Sequence, residues 1–490
     1  MSSTTSTHFE AIVVGAGVVG PAIATGLARQ GRSVLLVERD WKTPDRIVGE
    51  LLQPAGVKAL RALGMVQAVN NIDAIPVRGY TVFSKGDRVA IPYPHKADSA
   101  PVPAVKSCVF GSNDKIIDDS TLSSDEFENG EYEMGVAFEH GRFISNLRSI
   151  ATQEKNVTAL EGTVTELIKN ETGVHGVFVK EKINGSDKTV TKSYTADLTV
   201  MCDGIFSKFR RELADDNVPT VKSHFIALKL HNADIPAPNT GHVILGNDFA
   251  PVLVYQTTPE DTRVLCAYDD AKLPRDPKKY LRENVLPNIP KSLQPSFEKS
   301  LEGPIKSMPN SWLPAKPNDI PGLFVIGDAL NMRHPLTGGG MSVGLNDALL
   351  LIRLLEHIPS LSDRETVTEH MIDFHYERKN LDAVVNILSI ALFSLFAASS
   401  PNLRVLQRGC FRYFQLGGSC VSVPVGFLSG TKPNPFLLAW VFFKVALYGV
   451  WCNFRDNGLL LLPLSIVQMF MVLATAAYVF APYLLTELFQ

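Results

Sequence analysis

The hydrophobic residues of this chain form short runs in its first two thirds and long runs near its end. Residues 11–14, 34–37 and 323–326 are apolar stretches that stop at a glycine or an acidic residue, a pattern typical of buried parallel strands. Residues 221–310 instead alternate β-rich patches with proline-rich loops, which predicts an antiparallel sheet. The pattern therefore predicts an α/β fold with a second, β-rich domain.

The long apolar runs near the C-terminus predict helices that are buried or face lipid. Residues 383–398 are apolar all round, and residues 436–451 contain a single charge. Residues 459–485 contain none, and a helix of that length exceeds the roughly 20 residues needed to cross a bilayer. Because Pro463 and Pro482 interrupt this last run, we expect a bent or re-entrant helical hairpin. A pair of core helices is the alternative.

The glycines after the first strand follow the spacing of a dinucleotide-binding turn. Gly15, Gly17 and Gly20 form a GxGxxG motif, and Glu38 ends the second strand about 20 residues further on. Such glycines permit a tight turn and close approach of a pyrophosphate, while the acid can bind ribose hydroxyl groups. The acid favours FAD or NAD over NADP. The alternative is an ordinary βαβ unit whose glycines match by chance.

A second candidate ligand-binding turn follows the strand at residues 323–326. Asp328 lies at the carboxyl end of this strand, where open α/β sheets bind ligands, so it can accept hydrogen bonds from ligand hydroxyl groups. Residues 338–340 are three glycines that precede a helical pattern and leave backbone amides bare at its start. The alternative is a glycine-rich turn between a core strand and a core helix.

Composition excludes several classes of protein. The chain has 490 residues, of which 45% are hydrophobic, enough for two or three domains with a sizeable core. A formal charge of -3 gives no basic field for nucleic acid. Six cysteines without a CxxC pair indicate neither a disulfide framework nor a zinc site, and no metal site is expected.

Four longer strings resemble the squalene epoxidases, a family of FAD-dependent monooxygenases, in their fungal form. They are RIVGELLQP at residues 46–54, HGRFISNLR at 140–148, DGIFSKFR at 203–210 and NMRHPLTGGGM at 331–341. The resemblance implies a Rossmann-like FAD-binding domain of the aromatic-hydroxylase type. It also implies an antiparallel-sheet substrate domain and a C-terminal helical, membrane-associated tail.

The resemblance and the composition together divide the chain into seven segments. One is an acidic surface insertion, in which residues 114–133 contain eight acids and a single lysine. The segments are FAD-binding parts at residues 1–95, 136–215 and 321–380, the acidic insertion at 96–135, a β-rich substrate domain at 216–320, helices covering the substrate cavity at 381–435, and C-terminal membrane-associated helices at 436–490.

The resemblance also implies the residues of the site. Gln53 and Tyr80 are expected to form a hydrogen-bonded pair beside the flavin, although by composition alone Tyr80 would be a core aromatic residue. The implied FAD contacts are Gly15, Gly17, Val18, Val19, Gly20, Glu38, Arg39, Arg46, Arg142, Val164, Asp203, Asp328, Gly338, Gly339, Gly340 and Met341.

Two of these FAD contacts have an ordinary structural alternative. Arg46 follows Asp45 and could instead form a solvated ion pair with it. Asp203 belongs to an Asp-Gly dipeptide, which in isolation is most often a turn.

By resemblance, the protein is a squalene monooxygenase of ergosterol-type sterol biosynthesis. A flavin hydroperoxide would transfer its distal oxygen to a terminal alkene of squalene, giving (S)-2,3-oxidosqualene and water. O₂ is the second substrate, and an NADPH-dependent cytochrome reductase is the expected electron donor. The chain contains only one convincing dinucleotide fingerprint, which FAD occupies.

The resemblance further implies membrane lipid as a partner. The expected location is the cytosolic face of the endoplasmic reticulum membrane, including microsomes and lipid droplets. Asn156, Asn170 and Asn184 each begin an N-x-S/T sequence, and on this topology none is glycosylated.

Two other functions are compatible with the fold. The first is an FAD-dependent hydroxylase or reductase of another lipid or aromatic substrate, which the string around Arg333, His334 and Pro335 disfavours. The second is a non-catalytic isoprenoid-binding protein on the same fold. Retention of the glycines with Glu38, Asp203 and Asp328 disfavours it, because a scaffold without a cofactor has no need of them.

Overall fold

A computed structural model describes residues 7–103, 105–108, 114–118, 121–183, 188–246, 249–458 and 461–489. The strands among these residues are β1 (Thr7–Val14), β2 (Val34–Glu38), β3 (Leu51–Leu52), β4 (Ile75–Val77), β5 (Gly79–Ser84), β6 (Asp87–Pro92), β7 (Gly135–Ala137), β8 (Val157–Glu161), β9 (Thr163–Asn170), β10 (Gly173–Lys182), β11 (Thr189–Met201), β12 (Thr220–His231), β13 (Gly241–Leu245), β14 (Val252–Gln256), β15 (Asp261–Tyr268), β16 (Lys306–Trp312) and β17 (Leu323–Val325).

Helices surround the sheets and make up most of the C-terminal region. They are α1 (Val19–Arg29), α2 (Pro54–Ala62), α3 (Ser124–Asn129), α4 (His140–Gln153), α5 (Pro277–Tyr280), α6 (Gln294–Ser300), α7 (Gly340–Leu355), α8 (Arg364–Glu377), α9 (Lys379–Ala397), α10 (Pro401–Gln415), α11 (Ser419–Leu428), α12 (Pro435–Asn457) and α13 (Leu462–Phe489).

The first sheet has the order β8-β2-β1-β11-β10-β9, with β17 paired to β11. β1 runs parallel to both β2 and β11, and β17 runs parallel to β11. The register aligns Val14 with Val37 and Met201, and Met201 with Val325, so these strands end at one edge. Because ligands bind at that edge in open α/β sheets, it defines a candidate site. The predicted Rossmann-like fold is confirmed.

The second sheet has the order β16-β12-β15-β14-β13-β5-β6, and it is antiparallel except where β5 runs parallel to β13. Residues 79–92, which the sequence grouped with the first FAD-binding segment, therefore form strands of the β-rich sheet. Tyr80 lies opposite Gly241, a partner about 160 residues further on that no local pattern indicates. A third, small sheet has the order β3-β7-β4.

The C-terminal helices pack on one face of the second sheet, in a hydrophobic cluster that contains residues of β12, β14, β15 and α9 to α13. Within the described residues, α9, α12 and Pro463–Phe489 of α13 are long and apolar enough to cross a membrane. The buried share of their most apolar 18 residues is 72%, 39% and 22% respectively. α9 is therefore a core helix, whereas α12 and α13 expose apolar faces that can contact lipid.

Candidate functional site

A cavity of about 1360 Å³ opens between the first and second sheets. Its lining combines the strand ends of the first sheet, residues 38–40 and 42–51, the inner face of the second sheet and the turn before α7. Pockets for small ligands usually measure roughly 300–1,000 Å³. The cavity therefore has room for two ligands side by side.

The turn after β1 has the geometry of a pyrophosphate cradle. Gly15 has a φ of +101°, and a Cβ there would lie 2.6 Å from the Cys202 carbonyl oxygen. A Cβ on Gly20 would lie 1.8 Å from the Gly15 carbonyl oxygen, so α1 packs directly against the turn. Gly17 has no neighbour within 4 Å of its Cβ position and faces the cavity. This open space at a helix start fits the phosphates of a dinucleotide.

Glu38 braces this cradle and faces the cavity. Its Oε2 accepts a 2.7 Å hydrogen bond from the Ala16 amide, and its Oε1 accepts one from the Asp40 amide at 3.2 Å. The guanidinium of Arg148 lies 3.6 Å from Oε2 and donates from Nε to the Ala16 carbonyl at 2.8 Å. Both side chains therefore orient the glycine turn for a ribose and its phosphate.

Arg148 lies at the glycine turn, where the family resemblance implied Arg142. Arg142 points away, forms an ion pair with Asp73 at 2.5 Å and does not line the cavity. Arg148 shares the buried face of α4 with Ile144, at i-4, and lies over the Trp41 ring at 5.3 Å. An arginine on the apolar face of an amphipathic helix was the sequence signal that could have identified it.

Asp203 and Asp328 face the cavity from the ends of β11 and β17. Asp203 Oδ1 is buried without a hydrogen-bond partner among the described residues, so a ligand hydroxyl group would satisfy it. Desolvation raises the pKa of Asp203, against the neighbouring charges of Arg210 and Lys208. Desolvation likewise raises the pKa of Asp328, against the charges of Arg333, Arg46 and Arg210. An Asp-Gly turn alone would leave no such buried acceptor.

The triple-glycine turn separates the two ends of the cavity. Gly338 has a φ of +61°, and a Cβ there would lie 3.4 Å from Gln53 Nε2. A Cβ on Gly339 would lie 2.4 Å from a Val385 methyl group, so α9 packs against the back of the turn. Gly340 begins α7 and faces the cavity. The helix start is thus open to an electron-rich ligand group.

Gln53 and Tyr80 are hydrogen-bonded beside this turn. Gln53 Nε2 donates to the Tyr80 hydroxyl and, at 2.7 Å, to the Thr337 carbonyl. The Tyr93 hydroxyl donates to Gln53 Oε1 at 2.6 Å. All four groups are buried, and desolvation raises the pKa of both tyrosines. Tyr93 was absent from the predicted site, because the register of β5 and β6 brings it there.

His140 is a further cavity residue, and no sequence motif indicated its role. It begins α4, lines the cavity and donates from Nδ1 to the Gly49 carbonyl at 2.8 Å. Burial lowers its pKa to about 4, so the ring is neutral and its other nitrogen is unprotonated. A Cβ on Gly49, whose φ is +80°, would lie 2.8 Å from this ring. The contact fixes residues 46–50 along the cavity wall.

The other end of the cavity is apolar and has a buried ion pair, Glu50 with Arg263, at its wall. Its apolar lining residues belong to one hydrophobic cluster and include Ile47, Leu51, Leu253, Leu265 and Leu336. Arg263 donates to both oxygens of Glu50, at 2.7 and 2.8 Å, and the Tyr255 hydroxyl donates to Glu50 at 3.2 Å. Because the two charges are paired and hydrogen-bonded to each other, this end of the cavity suits a hydrocarbon.

Arg46 lines the cavity and forms no ion pair with Asp45, which pairs with Lys306. Most of the predicted residues share the cavity wall, and three others lie directly behind it. Those on the wall are Gly15, Gly17, Val18, Val19, Glu38, Arg39, Arg46, Tyr80, Val164, Asp203, Asp328, Gly338, Gly340 and Met341. Those behind it are Gly20, Gln53 and Gly339.

Comparison with known proteins agrees with this geometry. The family model for squalene epoxidase matches residues 195–467. The chain is 54% identical to squalene epoxidase ERG1 of Saccharomyces cerevisiae, over 98% of this chain and 96% of that protein.

Two solved structures share the fold at low identity. The flavin-dependent brominase Bmp2 superposes with a TM-score of 0.64 and 12% identity, over 90% of this chain and 99% of that one. PqsL, a probable FAD-dependent monooxygenase from Pseudomonas aeruginosa, superposes with a TM-score of 0.60 and 18% identity, over 84% of this chain and 100% of that one. With a dinucleotide cradle, a hydrocarbon cavity and a relative of this identity over its full length, the chain belongs to the squalene epoxidase family.

Proposed function

We propose that this protein binds FAD and uses O₂ to epoxidise a terminal alkene of squalene, giving (S)-2,3-oxidosqualene for ergosterol-type sterol biosynthesis. One observation carries the proposal. A single cavity joins a dinucleotide cradle to an apolar chamber, and Gln53, Tyr80 and the glycine turn lie where the two meet. Membership of the squalene epoxidase family supports the same reaction.

The reaction adds one oxygen atom of O₂ to the alkene and reduces the other to water with two electrons and two protons. FAD supplies the electron transfer and oxygen activation for this reaction. The protein must hold the alkene at the flavin and exclude water. An alkene needs no deprotonation, which agrees with a chamber whose buried ionic groups, Glu50 and Arg263, are paired with each other.

Each end of the cavity has its own task. Glu38, Arg148 and the amides after Gly15 hold the nucleotide, while Asp203 and Asp328 accept hydrogen bonds from its hydroxyl groups. The amides of the turn before α7 hold the flavin ring. Tyr80, fixed by Gln53, orients the reacting alkene at the ring.

An NADPH-dependent cytochrome reductase is the proposed electron donor. The described strand ends supply one glycine cradle with its acidic partner, and FAD occupies it in this proposal. Omitting the reductase while supplying NADPH should therefore abolish turnover. Full turnover with NADPH alone would contradict this part of the proposal.

The proposed location is the cytosolic face of the endoplasmic reticulum membrane, with α12 and α13 in contact with lipid. Asn156 and Asn170 lie on the flavin-binding part of the chain, and Asn184 lies outside the described residues. On this topology none of them carries a glycan. An endoglycosidase-sensitive mass on the native protein would place the domain in the lumen.

The decisive experiment supplies the detergent-solubilised protein with squalene, FAD, NADPH and the cytochrome reductase, and identifies products by mass spectrometry. We expect oxidosqualene that carries label from ¹⁸O₂. Tyr80→Phe should reduce its formation while leaving FAD bound, and exposed Tyr132→Phe is the matched control. If the protein binds FAD and consumes NADPH but forms no epoxide, the result would favour the alternative function, a hydroxylase or reductase of another lipid. Purified protein that contains no FAD would favour the other alternative, a non-catalytic isoprenoid-binding protein.

A further inference from the structure

The C-terminal helices carry a positive charge that the rest of the chain does not. Residues 398–490 contain six Lys and Arg residues but two Asp and Glu residues, a formal charge of +4. The whole chain has 47 basic and 50 acidic residues and a charge of -3, so the remainder carries -7. Of the two acids, Glu487 is buried and bonded to Asn386. Such asymmetry indicates that this part of the molecule meets a negatively charged surface.

Three of the cations form a row on α10. Arg404, Arg408 and Arg412 are four residues apart, which places them on one side of the helix. Asp456, at the end of α12, lies 2.8 Å from Arg412 Nη1 and 3.6 Å from Arg408 Nε. One carboxylate thus serves two guanidinium groups, and Arg404 is exposed without an ion pair in the described part of the chain. The row keeps a net positive charge.

A fourth cation, Arg455, lies at the edge of the exposed apolar face of α12. Arg455 directly precedes Asp456 in the chain, and its guanidinium lies 5.6 Å from the centre of the Trp451 ring. Trp451 shares one side of α12 with Leu447, Trp440 and Phe436, all more than half exposed. Tryptophan is enriched at the interface between lipid chains and headgroups. We call Arg404, Arg408, Arg412 and Arg455 the basic surface.

We propose that the basic surface binds the phosphate groups of anionic phospholipids while the adjoining faces of α12 and α13 enter the bilayer. Guanidinium groups pair with phosphate through two parallel hydrogen bonds. A lipid surface fits better than an acidic protein, because Arg455 borders the exposed apolar side of α12 and the following residues 459–485 contain no charge. The proposal concerns the lipid class and does not depend on the substrate or the reaction.

The test is flotation of the full chain, synthesised in a cell-free system, with vesicles of phosphatidylcholine alone or mixed with phosphatidylserine. We expect tighter binding to the mixed vesicles, weakened by salt. Each cation close to an anionic membrane raises the binding affinity roughly fivefold. Arg404→Gln, Arg408→Gln and Arg412→Gln combined should therefore remove most of the preference for mixed vesicles and leave binding to phosphatidylcholine unchanged.

Two further variants make the test specific. Lys272→Gln, Arg275→Gln and Lys279→Gln combined remove the same charge from exposed positions of the β-rich domain and should retain the preference. Asp456→Asn frees two arginines and should strengthen it about fivefold. Equal binding of the natural chain to both vesicles, or equal losses in both triple variants, would overturn the proposal. The proposal would also be overturned if the Arg404, Arg408 and Arg412 triple variant kept its preference for mixed vesicles but turned over more slowly with the reductase. That result would indicate that these arginines bind an acidic protein.

Discussion

At the scale of single residues, the orientation of one amide decides the hydrogen bonds at the centre of the cavity. Tyr93 donates to Gln53 Oε1, so Nε2 of the same amide must face Tyr80 and the Thr337 carbonyl. Gln53 is completely buried, and a flipped amide would leave donors and acceptors unpaired. Tyr93 is therefore a positioning residue for Tyr80.

Tyr93→Phe removes the donor and leaves the Gln53 Oε1 without a partner. A buried unpaired acceptor costs about 1–3 kcal/mol, so we expect kcat to fall about tenfold as the amide reorients. KM and FAD content should change little, because Tyr93 lies behind Gln53. Steady-state kinetics and flavin absorbance measure these quantities. Exposed Tyr132→Phe is the control, and an equal loss of FAD and kcat would indicate general destabilisation instead.

His140 gives the protein a predictable response to acid. Its folded pKa of about 4 lies below the ordinary value of 6.5, because burial disfavours the charged ring. The unfolded chain therefore takes up a proton first as pH falls. The stability that the neutral ring contributes is present above pH 6.5 and is lost as pH falls towards 4, about 3 kcal/mol in all.

His140→Asn should flatten this part of the stability profile. The Asn amide can still donate to the Gly49 carbonyl but does not titrate. The melting temperature of the variant should therefore fall less between pH 6.5 and 4 than that of the natural chain. Thermal unfolding of the FAD-loaded protein across this range is the measurement. Exposed His357→Asn should keep the slope of the natural chain. An unchanged slope in His140→Asn would contradict the assignment.

At the scale of secondary structure, α4 shows how one helix separates two arginines of the same string. Arg142 faces solvent and Asp73, whereas Arg148 lies on the buried face that packs under the glycine turn. The residues are six positions apart, which at 3.6 residues per turn separates them by about a third of a turn around the helix. The resemblance assigned a flavin contact to Arg142, whereas in the structure Arg148 is the arginine of α4 that lies at the glycine turn.

Arg148→Ala should weaken FAD binding by at least tenfold, because it removes the charge-assisted bonds that hold the Ala16 carbonyl and Glu38. Arg148→Lys should restore little, since one ammonium cannot replace a guanidinium that reaches three groups. The ratio of FAD to protein after gel filtration and a fluorescence titration measure the effect. Arg142→Ala is the matched control and should retain FAD. Loss of FAD in Arg142→Ala alone would restore the original prediction.

At the scale of the whole molecule, the end of the last helix is bonded to the turn at the cavity. Glu487 Oε1 accepts from Asn386 at 2.9 Å, and Asn386 in turn accepts from Arg333 at 2.6 Å. Arg333 lines the cavity before the glycine turn. Lys379 donates to the Glu487 carbonyl at 2.7 Å. The membrane-associated region and the cavity are thus parts of one packed unit.

Glu487→Ala removes one of the two acceptors of Asn386 Nδ2, the other being Asn331 Oδ1, and we expect a loss of about 1–3 kcal/mol in stability with faster release of FAD. Glu487→Gln keeps the acceptor oxygen and should behave like the natural chain. Thermal unfolding and the rate of flavin release are the measurements, and exposed Glu298→Ala is a control. Vesicle binding should not change in any of them. Unaltered flavin release in Glu487→Ala would show that the C-terminal helix does not support the cavity.

The sequence by itself determined the features that depend on near neighbours in the chain. The glycines at residues 15, 17 and 20, Glu38 and the Gly-Asp turn at 327–328 are local signals, because a tight turn and a strand end need only a few residues. The apolar runs predicted α9, α12 and α13, although only the packing shows that α9 is buried. The family resemblance supplied Gln53 and Tyr80.

Only the tertiary structure decided which distant residues meet. Tyr80 reaches the cavity because β5 pairs with β13, and Tyr93 reaches Gln53 because β6 follows β5 in a fixed register. Glu50 meets Arg263 across 213 positions of sequence. Strand register and long-range ion pairs depend on the balance of contacts over the whole fold, and no local pattern of side chains encodes that balance.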